Sequence, residues 1–169
     1  MNKNQCISLF LSVFFIVLIC KEGMAQQNCK YSIATDHFVS RTGIYGGIQG
    51  GITFADWVFD IGTGYNWQNL VQFTYYSPYI SGGVGYQLVG TEKISVSFGL
   101  NYQLHWNRYL YNTKPKIHAL YYQYKLKIGK NKLFFLQETG VGAMIRTSFP
   151  ESNHLVWDIK LAIGIGYAF

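Results

Sequence analysis

At 169 residues the chain is one domain's worth, and its composition is skewed: 18% aromatic, 18 glycines, 13% charged and 3 prolines. The formal net charge of +6 is spread along the chain without a long basic run or an interleaved base-stacking motif, which argues against a nucleic-acid partner. Three cysteines at positions 6, 20 and 29 show no metal-ligand spacing, so no metal or cofactor site is expected.

Residues 1–25 read as a secretory signal peptide. Lys3 supplies the positive end, Ile7 to Cys20 is a nearly unbroken apolar run, and Gly23-Met24-Ala25 places small residues before a cleavage point at Gln26. The apolar run is short for a helix spanning a bilayer, which needs about 20 residues. Val17-Leu18-Ile19 lacks the small residue that should precede a lipidated Cys20. Removing the signal leaves 12 basic and 7 acidic residues, a net charge of +5, and leaves Cys29 as the lone cysteine, so no intrachain disulfide can form. The mature domain is expected over 26–169.

Gln26 to Thr42 is the least regular segment, polar with apolar positions at Tyr31, Ile33 and Phe38. From Gly43 a period of two sets in, which is a strand signature. Ile44, Ile48, Ile52 and Phe54 share one face, and Ala55-Asp56 is a tight turn into Trp57 to Trp67. A loop from Gln68 to about Thr74 leads to Tyr75–Leu88, where Pro78 must sit near a strand end or at a bulge because it has no N–H for the ladder. Val89 to Lys93 turns the chain into Ile94–Trp106. That strand alternates without exception, with Val96, Phe98, Leu100 and Tyr102 against Ser97, Gly99, Asn101 and Gln103.

Asn107 to Lys116 is a polar loop. Leu120, Tyr122, Tyr124, Leu126 and Ile128 then oppose Tyr121, Gln123, Lys125 and Lys127, and Gly129 to Lys132 turns into a noisier strand from Leu133 to about Arg146. After the loop Thr147–His154 comes the most telling stretch. From Leu155 to Phe169 one row is wholly apolar, with Trp157 and Phe169 near its ends, and the other is Val156, Asp158, Lys160, Ala162, Gly164, Gly166 and Ala168. A tilted strand crosses a bilayer in about 9–11 residues, so this stretch is long enough to span.

Seven strands are plain. A closed single-chain barrel of this kind has an even number, so an eighth is expected in Asn28 to Phe38, turning through Val39–Thr42; parity, not pattern, places it. The fold class expected is all-β, an eight-stranded antiparallel up-and-down transmembrane β-barrel. Turns at 55–56, 89–93 and 129–132 would face the periplasm and the longer loops at 68–74, 107–116 and 147–154 the outside. Trp67, Tyr76, Trp106 and Trp157 would form the outer aromatic girdle, with Tyr65; Trp57, Tyr167 and Phe169 the inner one, with Phe59 and Phe135. A soluble lipocalin-like barrel has the same alternation turned inside out, but it leaves the placement of Trp and Tyr unexplained.

With those residues in view, the chain resembles the small eight-stranded outer-membrane barrels of Gram-negative bacteria, the class of the OmpX, OmpW and OmpA membrane domains. The Met24-Ala25-Gln26-Gln27 junction is similar to those of Bacteroidetes members. The resemblance implies an outer-membrane location, outer-membrane lipid as the surroundings, and a C-terminal signal at Tyr167 and Phe169 for the barrel-assembly machinery.

The inward rows carry Asp60, Lys125, Lys127, Glu138, Arg146, Asp158 and Lys160. Hairpin geometry puts Lys125 near Glu138 and Arg146 near Asp158, so opposite charges would meet in the lumen. An eight-stranded interior is just wide enough to be filled by side chains, which favours packing over a conductive filter. His37 with Ser40 is the one pair that suggests a lipid acyl hydrolase, His as base and Ser as nucleophile. Asp36, the adjacent acid, would face the opposite way from His37, which leaves that histidine without an orienting partner. His105, His118 and His154 read as hydrogen-bonded or solvated. Glycines between Gly43 and Gly51, and Gly62 with Gly64, lack the basic residue and helix of a phosphate loop. Loop residues Tyr109, Tyr111, Phe149, Lys114 and Lys116 are candidates for an unidentified partner. The functional expectation is a non-enzymatic barrel with a filled polar lumen and a structural or surface-interaction role through its loops. A narrow conduit and, further off, a lipid-modifying enzyme are the alternatives.

Overall fold

The computed structural model describes residues 29–41, 43–69, 78–91, 93–106, 116–130, 132–147 and 155–169. Eight antiparallel strands, β1 (Cys29–Ser40), β2 (Gly43–Phe54), β3 (Trp57–Asn69), β4 (Pro78–Gly90), β5 (Ile94–Trp106), β6 (Lys116–Lys130), β7 (Leu133–Thr147) and β8 (Leu155–Ala168), pair in chain order, and β1 closes on β8. Closure pairs every wall strand on both sides, so no sheet edge is left to be satisfied by water.

The strand expected from parity is present as β1. It runs two residues past Phe38 to Ser40, because Phe38 and Ser40 continue the inward row of Ala34 and Asp36 and pair with Tyr45 and Gly43 of β2. The reversal is therefore confined to the residues after Ser40, not Val39–Thr42. Lys116, expected in a loop, is the first residue of β6 and pairs with both Trp106 and Thr147. Pro78 is the first residue of β4, in register with Tyr65 of β3, so it sits at a strand end as expected. The expected signal segment, the three long loops with Tyr76, Tyr109, Tyr111, Lys114, Phe149 and His154, and the Arg146 side chain lie outside the described residues.

The connections β2–β3, β4–β5 and β6–β7 are short and lie at one end of the barrel with both ends of the described chain; the equally short β1–β2 connection and the three longer ones lie at the other. These are called the turn end and the loop end below. At the turn end, Ala55 takes a left-handed backbone (φ 51°) to close its two-residue turn. Phe169 N–H donates to Tyr31 O at 2.9 Å, fastening the last residue to β1.

The outer wall is apolar. Trp157 is 72% exposed, Ile165 67% and Ile61 60%. A water-soluble domain rarely bares a contiguous apolar patch of more than a few hundred Å², whereas here the apolar rows run all round the sheet. Polar outward groups satisfy one another: Gln137 Nε2 donates to Thr139 Oγ1 at 3.1 Å, and Tyr102 Oη lies 2.6 Å from His118 Nδ1.

Candidate functional site in the barrel lumen

The inward rows meet on the barrel axis in three layers. Toward the loop end lies an aromatic layer: Phe38 stacks on Tyr45 (centroids 4.5 Å apart, planes at 8°), and Tyr79 packs edge-on against both. Tyr45 and Tyr79 also contact the His105 ring. All four side chains are essentially inaccessible. They meet because β1, β2, β4 and β5 each place an inward residue at the same height, and glycines at 47 and 64 leave room for the Tyr79 ring; a Cβ on either would collide with it. Beside this layer, Ile117, Ala119, Tyr121 and Met144 form a second apolar cluster. The lumen is filled, but it is not purely polar as expected. Alternation alone conceals this, since Phe38, Leu136 and Met144 are apolar residues on inward rows.

At mid-height lies an ionic layer. Lys125 Nζ is 2.9 Å from Asp60 Oδ2 and 2.8 Å from Glu138 Oε1. Lys160 Nζ is 3.1 Å from Glu138 Oε2 and 3.9 Å from Asp36 Oδ2. Gln49 Nε2 donates to Glu138 Oε1 (2.9 Å), Tyr79 Oη to Asp36 Oδ2 (3.0 Å), and Asn101 Nδ2 reaches Asp60 Oδ1 at 3.4 Å. Glu138 thus holds both lysines, one on each oxygen, and charge-assisted bonds of this kind are about twice as strong as neutral ones. Burying such groups is costly unless they are paired, and here they are.

Asp158 is apart from that network. It pairs in register with Gly142, and its carboxylate accepts from Tyr121 Oη (2.6 Å) and from the Arg41 backbone N–H (2.8 Å). The expected pairing with Arg146 concerns a side chain outside the described residues. Asp36, Gln49, Tyr79 and Tyr121 were not singled out as lumen groups, although alternation places Tyr121 on the row of Lys125 and Lys127. Asp36 could have been found, since β1 parity puts it inward with Ala34 and Phe38.

Toward the turn end, Lys127 Nζ donates to Ser32 Oγ (3.3 Å) and lies 5.1 Å from the centre of the Phe134 ring. Beyond it a cavity of about 500 Å³ opens at the turn end. A void of about 10 Å³ beside Lys125 and Lys127, on the scale of one water, is the free space between cavity and ionic layer there.

His37 and Ser40 do not come together. Ser40 is buried on the inward row, while His37 faces out and meets the Trp67 ring edge-on at 5.3 Å. Asp36 and His37 point to opposite sides of the sheet. His105 is buried with Nε2 3.3 Å from Gln103 Oε1. Among the described residues no group of three or more His, Cys, Asp or Glu is placed to hold a metal ion. Cys29 is a half-buried free thiol. On the outer wall Trp67, Trp106 and Trp157 lie toward the loop end, and Trp57, Tyr167 and Phe169 toward the turn end, where Tyr167 meets Phe169 edge-on at 5.1 Å.

No family model matches the chain, and no curated protein matches it. Solved structures do. The N-terminal β-barrel domain of Pseudomonas aeruginosa OprF is similar with a TM-score of 0.55 at 16% identity, over 85% of this chain and 98% of that one. A major outer membrane protein from Thermus thermophilus gives 0.51 at 13% identity, over 84% and 100%. Neisserial surface protein A gives 0.50 at 14% identity, over 83% and 96%. The fold is that of the small transmembrane outer-membrane β-barrels. At these identities the likeness is one of fold alone.

Proposed function

We propose that this chain is an integral outer-membrane protein of a Gram-negative bacterium, delivered across the inner membrane by residues 1–25, whose role is structural or one of surface interaction through the loops at its loop end. The observation that carries the reading is the pairing of a predominantly apolar outer wall with a lumen filled by aromatic and ionic layers. An apolar wall of this extent is stable only against lipid, and a closed sheet satisfies every backbone group there. Phe38, Tyr45 and Tyr79, buried together above the Glu138 network, support a filled lumen over an open solute path. Tyr167 and Phe169 fit the terminal signal for the barrel-assembly machinery, and the Met24–Gln27 junction fits a Bacteroidetes source on sequence grounds alone. The chain is read as a non-enzyme; His37 and Ser40 on opposite faces support that.

A narrower second reading is favoured by one lane of the lumen. Asn101 Oδ1, Gln103 Nε2, His105 Nδ1 and Gln123 Oε1, all on β5 and β6, are buried without a hydrogen-bond partner. Such atoms suit a file of water molecules, and a conduit in this barrel would be limited to water or protons.

The test is fractionation of cells expressing the full-length chain, with gel mobility before and after boiling. A heat-shifted band in the outer-membrane fraction is expected. A soluble periplasmic band without a shift overturns the proposal.

A further inference from the structure

We propose that the outer face of β7 at Gln137 and Thr139 is a docking surface within the membrane, and that its partner is a second copy of this chain. These two polar residues interrupt the outward row of Leu133, Phe135, Val141, Ala143 and Ile145. Gln137 Nε2 donates to Thr139 Oγ1 at 3.1 Å, which uses one amide hydrogen and one hydroxyl lone pair. The second Gln137 N–H, Gln137 Oε1 and the Thr139 O–H have no hydrogen-bond partner among the described residues. The outward Thr35 and Thr63 differ, since their hydroxyls donate to the backbone carbonyls of Ile165 and Tyr79. The outward Tyr102 and His118 bond to each other, and His118 is only two residues from the loop end of β6.

The inference rests on the membrane reading of the outer wall, because depth is what makes the unmet groups costly. Leu133 is in register with Tyr167 of the turn-end girdle, and Ala143 with Trp157 of the loop-end girdle. Gln137 lies four residues from Leu133 and six from Ala143. At about 3.3 Å per residue and a strand tilt of about 40°, that puts it about 10 Å above one girdle and about 15 Å below the other. Hydrocarbon offers no hydrogen bond at that depth, so the missing donors and acceptors must come from another protein surface. A second copy inserted in the same direction carries Gln137 at the same depth, and an amide is both donor and acceptor. Across a two-fold axis along the membrane normal, the two Gln137 side chains exchange N–H···O=C bonds in an isologous contact. The rim is apolar: Phe135, Val141, Leu161 and Ile163 are 45%, 52%, 55% and 56% exposed and pack around the pair.

The test uses protein purified from membranes of cells expressing the full-length chain, in density-matched non-ionic micelles, with heat-shifted gel mobility as the mark of a folded barrel. Sedimentation equilibrium at rising protein-to-detergent ratio is expected to show a monomer–dimer equilibrium. Gln137→Leu is expected to weaken the dimer about tenfold, the effect of losing the two exchanged bonds. Thr63→Val removes an outward hydroxyl from the opposite wall and should leave the dimer unchanged. In intact membranes, Thr139→Cys/Cys29→Ser should give a disulfide-linked dimer with copper–phenanthroline as oxidant, and Ile61→Cys/Cys29→Ser, on the opposite wall, should not. This second measurement serves if Gln137→Leu does not fold. A heat-shifted barrel that is monomeric at every ratio, an undiminished Gln137→Leu dimer, or a Thr139→Cys cross-link to a different protein overturns the proposal and leaves the membrane reading standing. A chain without heat-shifted mobility overturns the membrane reading and the proposal with it.

Discussion

Lys160 lies with its ammonium group 4.7 Å from the centre of the Phe38 ring while pairing with Glu138 at 3.1 Å. The two contacts tie the ionic layer to the aromatic layer above it. Both residues are about 1% exposed, so neither contact is weakened by solvent.

Because Glu138 holds Lys125 and Lys160 on separate oxygens, removing it takes a carboxylate from two buried ammonium groups at once, leaving Lys125 with Asp60 and Lys160 with only the 3.9 Å contact to Asp36. Glu138→Ala is expected to cost about 3–5 kcal/mol of stability. The measurement is the urea midpoint of the heat-sensitive gel mobility. A loss below about 1 kcal/mol, the size typical of a surface pair, would show that water reaches the ionic layer.

The seam between β1 and β8 has a gap in its ladder at Thr35 and Asp36, and Thr35 fills it. The Ile165 N–H donates to Thr35 Oγ1 at 3.0 Å. Thr35→Val keeps the shape and removes the acceptor, leaving that N–H without a partner on a wall facing lipid. A destabilisation of about 1–3 kcal/mol is expected. Thr63→Val is the comparison, because its hydroxyl only donates to a carbonyl, Tyr79 O at 3.0 Å, and should cost less.

Gly164 sits at the same seam, where a Cβ would run into the Thr35 carbonyl oxygen. That obstacle is backbone and cannot swing aside. Gly164→Ala should therefore sharply reduce the fraction of heat-modifiable barrel after refolding. Gly50→Ala, where a Cβ would meet nothing within 4 Å, should fold as the parent does.

Ala55 holds a left-handed backbone (φ 51°) that costs a non-glycine residue about 1–2 kcal/mol. Ala55→Gly relieves this but loses more chain entropy on folding, about 0.5–1 kcal/mol. A net gain of up to about 1 kcal/mol is expected in the same urea assay, and a loss would mean that the turn relaxes in the parent.

Trp57, Trp67 and Trp157 are 50%, 68% and 72% exposed. In vesicles containing brominated acyl chains their fluorescence should be strongly quenched, while an aqueous quencher such as iodide should act weakly. The reverse pattern would put the apolar wall in water and sink the membrane reading.

How much of this was legible follows from how far each feature reaches along the chain. The faces of β5, β6 and β8 are local, because the pleat sends successive side chains to opposite sides, so Phe98, Tyr122 and Ile163 declare themselves outward. In β1 the same rule is obscured. Phe38 is apolar but inward, His37 and Thr35 are polar but outward, and Asp36 is hidden because its neighbours break the pattern. Parity supplied the strand, but register supplied its content.

The amino-acid order alone determined the period-two rows, the turn at Ala55-Asp56, seven of the eight strands and the apolar character of the wall, since each is a property of a few consecutive residues. The partners inside were decided by closure. Asp60 on β3 meets Lys125 on β6, and Asp36 on β1 approaches Lys160 on β8, only because the sheet bends round and brings its inward rows to one axis. The gathering of Lys30, Lys93 and Lys132 at the turn-end cavity has the same origin. Their separation along the chain carries no trace of it, because contact across a lumen depends on curvature and register, which no single strand encodes.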